Sequence, residues 1–139
     1  MLKRPDLYVF AISHYCEKAR WALDYLGIEY ELQHLAPGRH LEATAQLGAP
    51  GSSLPLLVSG EHIVHGSSAI IDWAEAAAAT PSKRLDPEPE FAEECRALEQ
   101  RLDDLVCVHA RRYYYSEALV DYPDTVRSIV TRDLAPVER

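Results

Sequence analysis

The chain has 139 residues, of which 47% are hydrophobic and 26% charged, so its composition is that of a globular protein and not of a disordered segment. This length accommodates one domain, or one domain with part of a second. The formal net charge of −8 argues against nucleic acid and anionic membranes as main partners, because binding to either needs a basic surface.

The three cysteines, Cys16, Cys95 and Cys107, predict neither a disulfide framework nor a zinc site. A reducing, cytoplasmic location is the simplest interpretation of so few cysteines. Residues 1–6 lack the apolar stretch of a signal peptide, and no run of the sequence approaches membrane-spanning length. We therefore expect neither a leader peptide nor a transmembrane segment.

The first part of the chain has the pattern of a strand, a helix and a second strand. Leu7–Ile12 is apolar and aromatic throughout, as in a buried strand of parallel type. Ser13 or His14 is expected to cap the helix that follows, and Gly27 to end it. Ile28–Leu35 alternates apolar and polar residues, which predicts a second strand. This order favours a right-handed crossover and parallel pairing.

The next elements predict a hairpin with a helix on either side. Arg39–Leu47 is typical of a short helix, and Ser67–Ala79 of an alanine-rich one. Between them, Leu54–Ser59 and His62–His65 flank Gly60-Glu61, which predicts an antiparallel pair. The first 80 residues thus predict an α/β domain, βαβ-α-ββα in order, with a four-stranded mixed sheet and helices on both faces.

Thr80–Pro89 contains three prolines and mixed charge, which indicates a linker. After it, apolar residues recur at spacings of three and four and predict one amphipathic helix that reaches about Tyr115. These residues are Phe91, Cys95, Leu98, Leu102 and Leu105. Asp121–Leu134 is a shorter helical candidate. The predicted boundaries are 1–80 for the α/β domain, 81–89 for the linker and 90–139 for a partial all-helical domain.

The Leu54-Pro55 bond is the first candidate for a binding site. If this bond is cis and Leu54 faces a groove, the main-chain N–H and C=O of Leu54 are offered to an extended peptide, as in strand addition. The alternative is an ordinary trans proline on an edge strand. The strand-helix-strand unit before the bond and the hairpin after it favour the cis form.

Two helix starts carry hydroxyl groups. The free N–H groups at the start of the helix that Ser67 opens attract a carboxylate, and Ser13 at the other start can donate a hydrogen bond to a thiolate. Simple N-capping is the alternative for both serines.

Cys16, three residues after Ser13, holds the second place of a Cys-x-x-Cys motif whose first cysteine is serine. Its place on the apolar stripe of the helix favours a buried, unreactive thiol. His62 and His65, three apart in a strand, do not form a metal-ligand pair.

In order and spacing, these residues resemble the glutathione S-transferase family over about residues 7–79, the thioredoxin-like domain of that family. The resemblance implies that Ser13 activates the glutathione thiol and that the Leu54-Pro55 segment is the cis-proline edge that pairs with the tripeptide. It also implies that Ser67 binds the γ-glutamyl group. Gly66 stands where the family has an acidic residue or glutamine, so one side-chain contact to glutathione is missing.

The resemblance implies a cytoplasmic transferase, homodimeric like many of the family, that takes glutathione as co-substrate and a small electrophile as partner. Two alternatives stay open: a non-catalytic interaction module, and a thiol-disulfide or dehydroascorbate-type reductase that uses Cys16.

Family members usually carry a complete helical second domain, whereas residues 90–139 correspond to its first one or two helices. A fragment, a shortened reading frame and completion by pairing are all compatible with this length.

Overall fold

A computed structural model describes residues 4–79, 84–85 and 88–131. Its sheet has four strands in the order β2-β1-β3-β4. The strands are β1 (Asp6–Val9), β2 (Glu31–His34), β3 (Leu56–Ser59) and β4 (His62–His65). β1 pairs with β2 in parallel, and β3 pairs antiparallel with both β1 and β4. The predicted α/β unit with a four-stranded mixed sheet is therefore confirmed.

Three helices accompany this sheet: α1 (His14–Leu26), α2 (Arg39–Gln46) and α3 (Ser67–Ala77). α1 begins at the N-cap Ser13 and ends at Gly27, whose φ of 73° is the left-handed conformation that glycine adopts most easily. α1 and α3 pack against each other. Their apolar faces and the central strands form one core, which includes Leu7, Val9, Cys16, Leu23, Leu56, Leu57 and Ile70.

Several elements are shorter than the sequence predicts. β1 ends at Val9 instead of Ile12, because the chain leaves the sheet there to enter α1. β3 begins at Leu56 instead of Leu54, since Pro55 has no N–H to add to the ladder. β2 occupies Glu31–His34 of the predicted 28–35, and α3 ends at Ala77 instead of Ala79.

A second compact unit, Arg84–Ile129, is separate from the first. Its described part is helical. It contains a 3-10 turn (Pro89–Phe91), α4 (Ala92–Leu102), a π-helical stretch (Asp103–Cys107), α5 (Val108–Asp121) and α6 (Pro123–Val130), whose last residue groups with the first unit. The division between the two units falls inside the predicted linker 81–89. Residues 81–83 and 86–87 of this linker lie outside the described residues. Residues 132–134 of the second helical candidate lie outside them as well.

The helix predicted from Phe91 to about Tyr115 is longer than expected, because α4, the π-helical stretch and α5 continue one another to Asp121. Its apolar stripe is exposed: Leu98 and Leu105 show 52% and 61% of their surface to solvent. No helix among the described residues is both long and apolar enough to cross a membrane.

Candidate functional site

The sheet topology places three loop segments at the same edge. β1 and β3 run in opposite directions with Tyr8 opposite Leu56, and β3 and β4 run in opposite directions with Leu56 opposite His65. The carboxyl ends of β1 and β4 therefore meet the amino end of β3. The segments at this edge carry Ser13 after β1, Leu54 before β3 and Ser67 after β4.

The Leu54-Pro55 peptide bond is cis, as the sequence predicts. The N–H of Gly66 donates a 3.0 Å hydrogen bond to the carbonyl oxygen of Pro55, which joins this segment to the start of α3. Leu54 itself is buried, yet its main-chain N–H and C=O make no hydrogen bond to any other described residue. Main-chain groups of buried residues nearly always have a hydrogen-bond partner. The N–H and C=O of Leu54 lack one among the described residues, so an extended ligand can supply it.

Ser13 is the N-cap of α1. Its backbone is extended, with φ of −158° and ψ of 116°, and its Oγ accepts a 3.3 Å hydrogen bond from the N–H of Cys16. Capping uses a lone pair of the hydroxyl oxygen, whereas activation of a thiolate uses the hydroxyl proton. The capping interpretation and the activating one are therefore compatible at this residue.

Cys16 is a free thiol with none of its surface exposed. Burial raises the pKa of this thiol, although the neighbouring polar groups of Ser13 and of the Phe10 backbone act in the opposite direction. The negative charge of Glu17 raises the pKa further, and Arg20 lowers it. A protonated thiol without solvent access has the character of a core residue.

Ser67 is the first residue of α3 and is only 6% exposed, yet its hydroxyl makes no hydrogen bond to another described residue. The N-cap of α3 is Gly66, not Ser67, so the simple capping interpretation of Ser67 is wrong. The hydroxyl of Ser67, at the start of a helix whose dipole favours a negative charge, can donate to a carboxylate.

Gly66 has a φ of 92° and a ψ of 152°, on the side of the φ range that favours glycine. A Cβ added there would meet no heavy atom within 4 Å. Backbone conformation, and not crowding, is therefore the reason for glycine at this position.

Across α1 and α3, Lys18 Nζ lies 3.4 Å from the hydroxyl of Ser68.

His65 is a residue of this edge that sequence reasoning missed. Its Nε2 lies 2.8 Å from the carbonyl oxygen of Ser53 and 2.9 Å from the hydroxyl of the same residue. The sequence gives no signal for this contact, because the partners are twelve positions apart and meet only when β4 lies beside β3. His65 therefore ties the loop before Leu54 to the end of β4.

A family model described as glutathione S-transferase, N-terminal domain, matches residues 7–82. No protein among curated sequences matches the chain. The sequence match covers the α/β unit and its candidate site, and stops before the helical unit.

Solved structures share the fold at low sequence identity. The β-etherase LigF from Sphingobium sp. strain SYK-6 is 18% identical, with a TM-score of 0.71 over 98% of this chain and 60% of its own. A Tau class glutathione S-transferase from mango is 19% identical, with a TM-score of 0.66 over 73% of this chain and 46% of its own. A glutathione S-transferase from Ceriporiopsis subvermispora, in complex with glutathione, is 16% identical, with a TM-score of 0.62 over 73% of this chain and 47% of its own. The chain spans about half the length of the first structures it matches. The likeness supports a thioredoxin-like fold followed by helices.

Proposed function

This chain belongs to the glutathione S-transferase family, and we propose that it binds glutathione and activates its thiol for attack on a small electrophile. Glutathione is the co-substrate in this proposal. Its backbone lies along Leu54, its γ-glutamyl carboxylate at Ser67 and its sulfur at Ser13. Gly66 contributes no side chain to the site.

The observation that carries the proposal is a set of unpaired polar groups at one edge of the sheet. Leu54 and Ser67 are buried residues, and neither the main-chain N–H and C=O of Leu54 nor the hydroxyl of Ser67 is hydrogen-bonded within the described residues. A tripeptide offers a peptide unit for the first pair and a carboxylate for the hydroxyl. The dipole of α3, positive at its amino end, favours the same carboxylate.

The chemistry rests on Ser13. A thiol with a pKa of about 8.5 is only a few per cent ionised at neutral pH, so lowering that pKa by about two units raises the thiolate more than tenfold. The hydroxyl proton of Ser13 and the start of α1 both favour a negative charge at the sulfur. An electron pair of the thiolate then forms the bond to the electrophilic carbon, and the leaving group takes the electrons of its own bond.

One of the solved neighbours is in complex with glutathione, which supports glutathione as the ligand here. The substitution at Gly66 favours a second candidate, a non-catalytic interaction module with weak glutathione binding. The reductase alternative is not favoured, because Cys16 is buried and its pKa is raised. Alkylation of the native protein followed by mass analysis tests it: we expect Cys95, which is exposed, to react before Cys16.

Calorimetric titration with glutathione tests binding, and the ultraviolet absorbance of the thiolate in the complex tests activation. We expect heat at millimolar glutathione and a thiolate signal at neutral pH in the wild-type protein. Heat without a thiolate signal would favour the non-catalytic module. No heat at millimolar ligand would overturn the proposed function.

Location and assembly are part of the proposal as well. We propose a cytoplasmic homodimer, supported by the few cysteines and by the exposed apolar side chains of the second unit, such as Leu98 and Leu105. Sedimentation velocity at micromolar concentration measures the assembly directly. A monomer throughout the concentration series would remove the dimer from the proposal without affecting glutathione binding.

A further inference from the structure

We infer that His65 is a positioning residue for glutathione, which it serves by holding the main chain of Leu54 at a fixed place relative to Ser67. The inference rests on the proposed function. It concerns affinity and not the activation of the thiol, because Ser13 lies on a different element, at the start of α1.

The contacts of His65 identify the ring nitrogen that faces Ser53. Nε2 lies within hydrogen-bond distance of both the carbonyl oxygen and the hydroxyl of Ser53, at 2.8 and 2.9 Å. A hydrogen bond to the carbonyl oxygen, which only accepts, requires the tautomer that carries the proton on Nε2. In that tautomer Nε2 cannot take a proton from the hydroxyl, so it does not act as a base toward Ser53. The pair is a structural link.

A second contact holds the same ring. A Cβ built on Gly51 would lie 2.8 Å from Cε1 of His65, a distance that real Cβ atoms essentially never show. The φ of Gly51 does not lie in the left-handed region, so conformation does not require glycine there. Glycine at this position instead allows the ring to lie directly against the loop.

Leu54 consequently lies between two attachments. The residue before it, Ser53, is bound by His65, and the residue after it, Pro55, accepts the hydrogen bond from Gly66. His65 and Gly66 are consecutive, and Ser67 follows them directly. The distance between Leu54 and Ser67 in the proposed glutathione site therefore depends on the link between His65 and Ser53.

The test compares His65→Ala, His65→Gln and the control His62→Ala, which removes an exposed histidine from the same strand. We expect His65→Ala to raise the KM for glutathione about tenfold, the effect of about one lost hydrogen bond, with little change in kcat. His65→Gln keeps an amide donor and should restore much of the affinity. His62→Ala should match the wild type.

Gly51→Ala provides an independent variant that keeps the histidine. Its methyl group displaces the ring, so it should raise the KM as His65→Ala does. The double variant should be no worse than His65→Ala alone, because the added methyl group then occupies the space that the ring leaves. Additive losses would contradict the shared mechanism and overturn the inference.

The backbone ¹⁵N order parameter of Leu54 in the ligand-free protein gives a readout that does not depend on catalysis. It should fall in His65→Ala while that of Leu57, in the middle of β3, stays unchanged. A wild-type protein that binds glutathione, together with a His65→Ala variant of unchanged KM and order parameter, would overturn the inference alone. A wild-type protein that binds no glutathione would overturn the proposed function, and the role of His65 with it.

Discussion

The hydroxyl oxygen of Ser13 accepts a 3.3 Å hydrogen bond from the main-chain N–H of Cys16, and so closes the first turn of α1. One side chain therefore has two functions in our proposal, since its lone pair stabilises the helix and its proton stabilises the thiolate of glutathione. The two functions can be separated, because a carboxylate at the same position caps a helix but donates no proton.

We expect Ser13→Ala to lower kcat about tenfold or more while the Kd for glutathione changes by less than about twofold. The variant should also lose about 1 kcal/mol of unfolding free energy with the cap. Ser13→Asp is the matched control, because it should restore the stability and not the turnover. Recovery of turnover in Ser13→Asp, or an equal loss of binding and turnover in Ser13→Ala, would contradict the role of Ser13.

Ser67→Ala should weaken glutathione binding about tenfold, since a hydrogen bond to a carboxylate contributes about 1.5–3 kcal/mol. The kcat at saturating glutathione should change little, because Ser67 contacts the γ-glutamyl carboxylate and not the cysteine that carries the sulfur. Ser68→Ala, which removes the neighbouring hydroxyl beside Lys18, is the control and should retain the affinity of the wild type. Calorimetry measures all three proteins, and equal affinities for wild type and Ser67→Ala would remove Ser67 from the site.

A comparison of Gly66→Ala with Gly66→Gln distinguishes the cost of backbone strain at this position from the effect of a side-chain contact to glutathione. Either substitution introduces a Cβ at a φ of 92° and should cost about 1 kcal/mol in the free energy of unfolding. The space around Gly66 is open, so Gln should fit and bind glutathione more tightly than Ala does. Gly60→Ala, at a φ of 61° in the hairpin turn, controls for strain outside the site. Equal affinities of the Ala and Gln variants would show that no side-chain contact is missing.

Because of Cys16, we expect the free energy of unfolding to fall as the pH rises through the alkaline range. Burial raises the pKa of this thiol in the folded state, so the folded protein keeps a proton that the unfolded chain releases. The resulting stabilisation is present below the pKa of an unfolded cysteine, about 8.5, and is lost as the pH rises through the higher folded pKa. Burial also raises the pKa of Tyr30, so the window to measure lies below the ordinary tyrosine range of about pH 10.

Chemical denaturation at a series of pH values between about 8 and 10 measures this loss. Cys16→Ala should be less stable than the wild type at neutral pH and show a flatter decline towards alkaline pH. Cys95→Ala, which removes an exposed thiol, is the matched control and should follow the wild type. A slope unchanged by Cys16→Ala would contradict a buried, protonated thiol at this position.

The sequence alone predicted the order of elements in the first unit, because period-two and helical patterns, Gly27 and the short hairpin turn are local signals. It also indicated Ser13, Leu54, Pro55 and Ser67 as a set, through a family resemblance. Element ends were less well predicted, since the end of β1 depends on where the chain must leave the sheet.

Only the tertiary structure decided which polar groups stay unpaired and which are used. The capping bond of Ser13 and the free hydroxyl of Ser67 look alike in sequence, as both serines stand at a helix start. The link from His65 to Ser53 and the absence of space at Gly51 depend on strand pairing across more than ten residues. Local composition fixes backbone preferences, whereas the hydrogen-bond partner of a side chain depends on which distant segment folding brings within 3 Å of it.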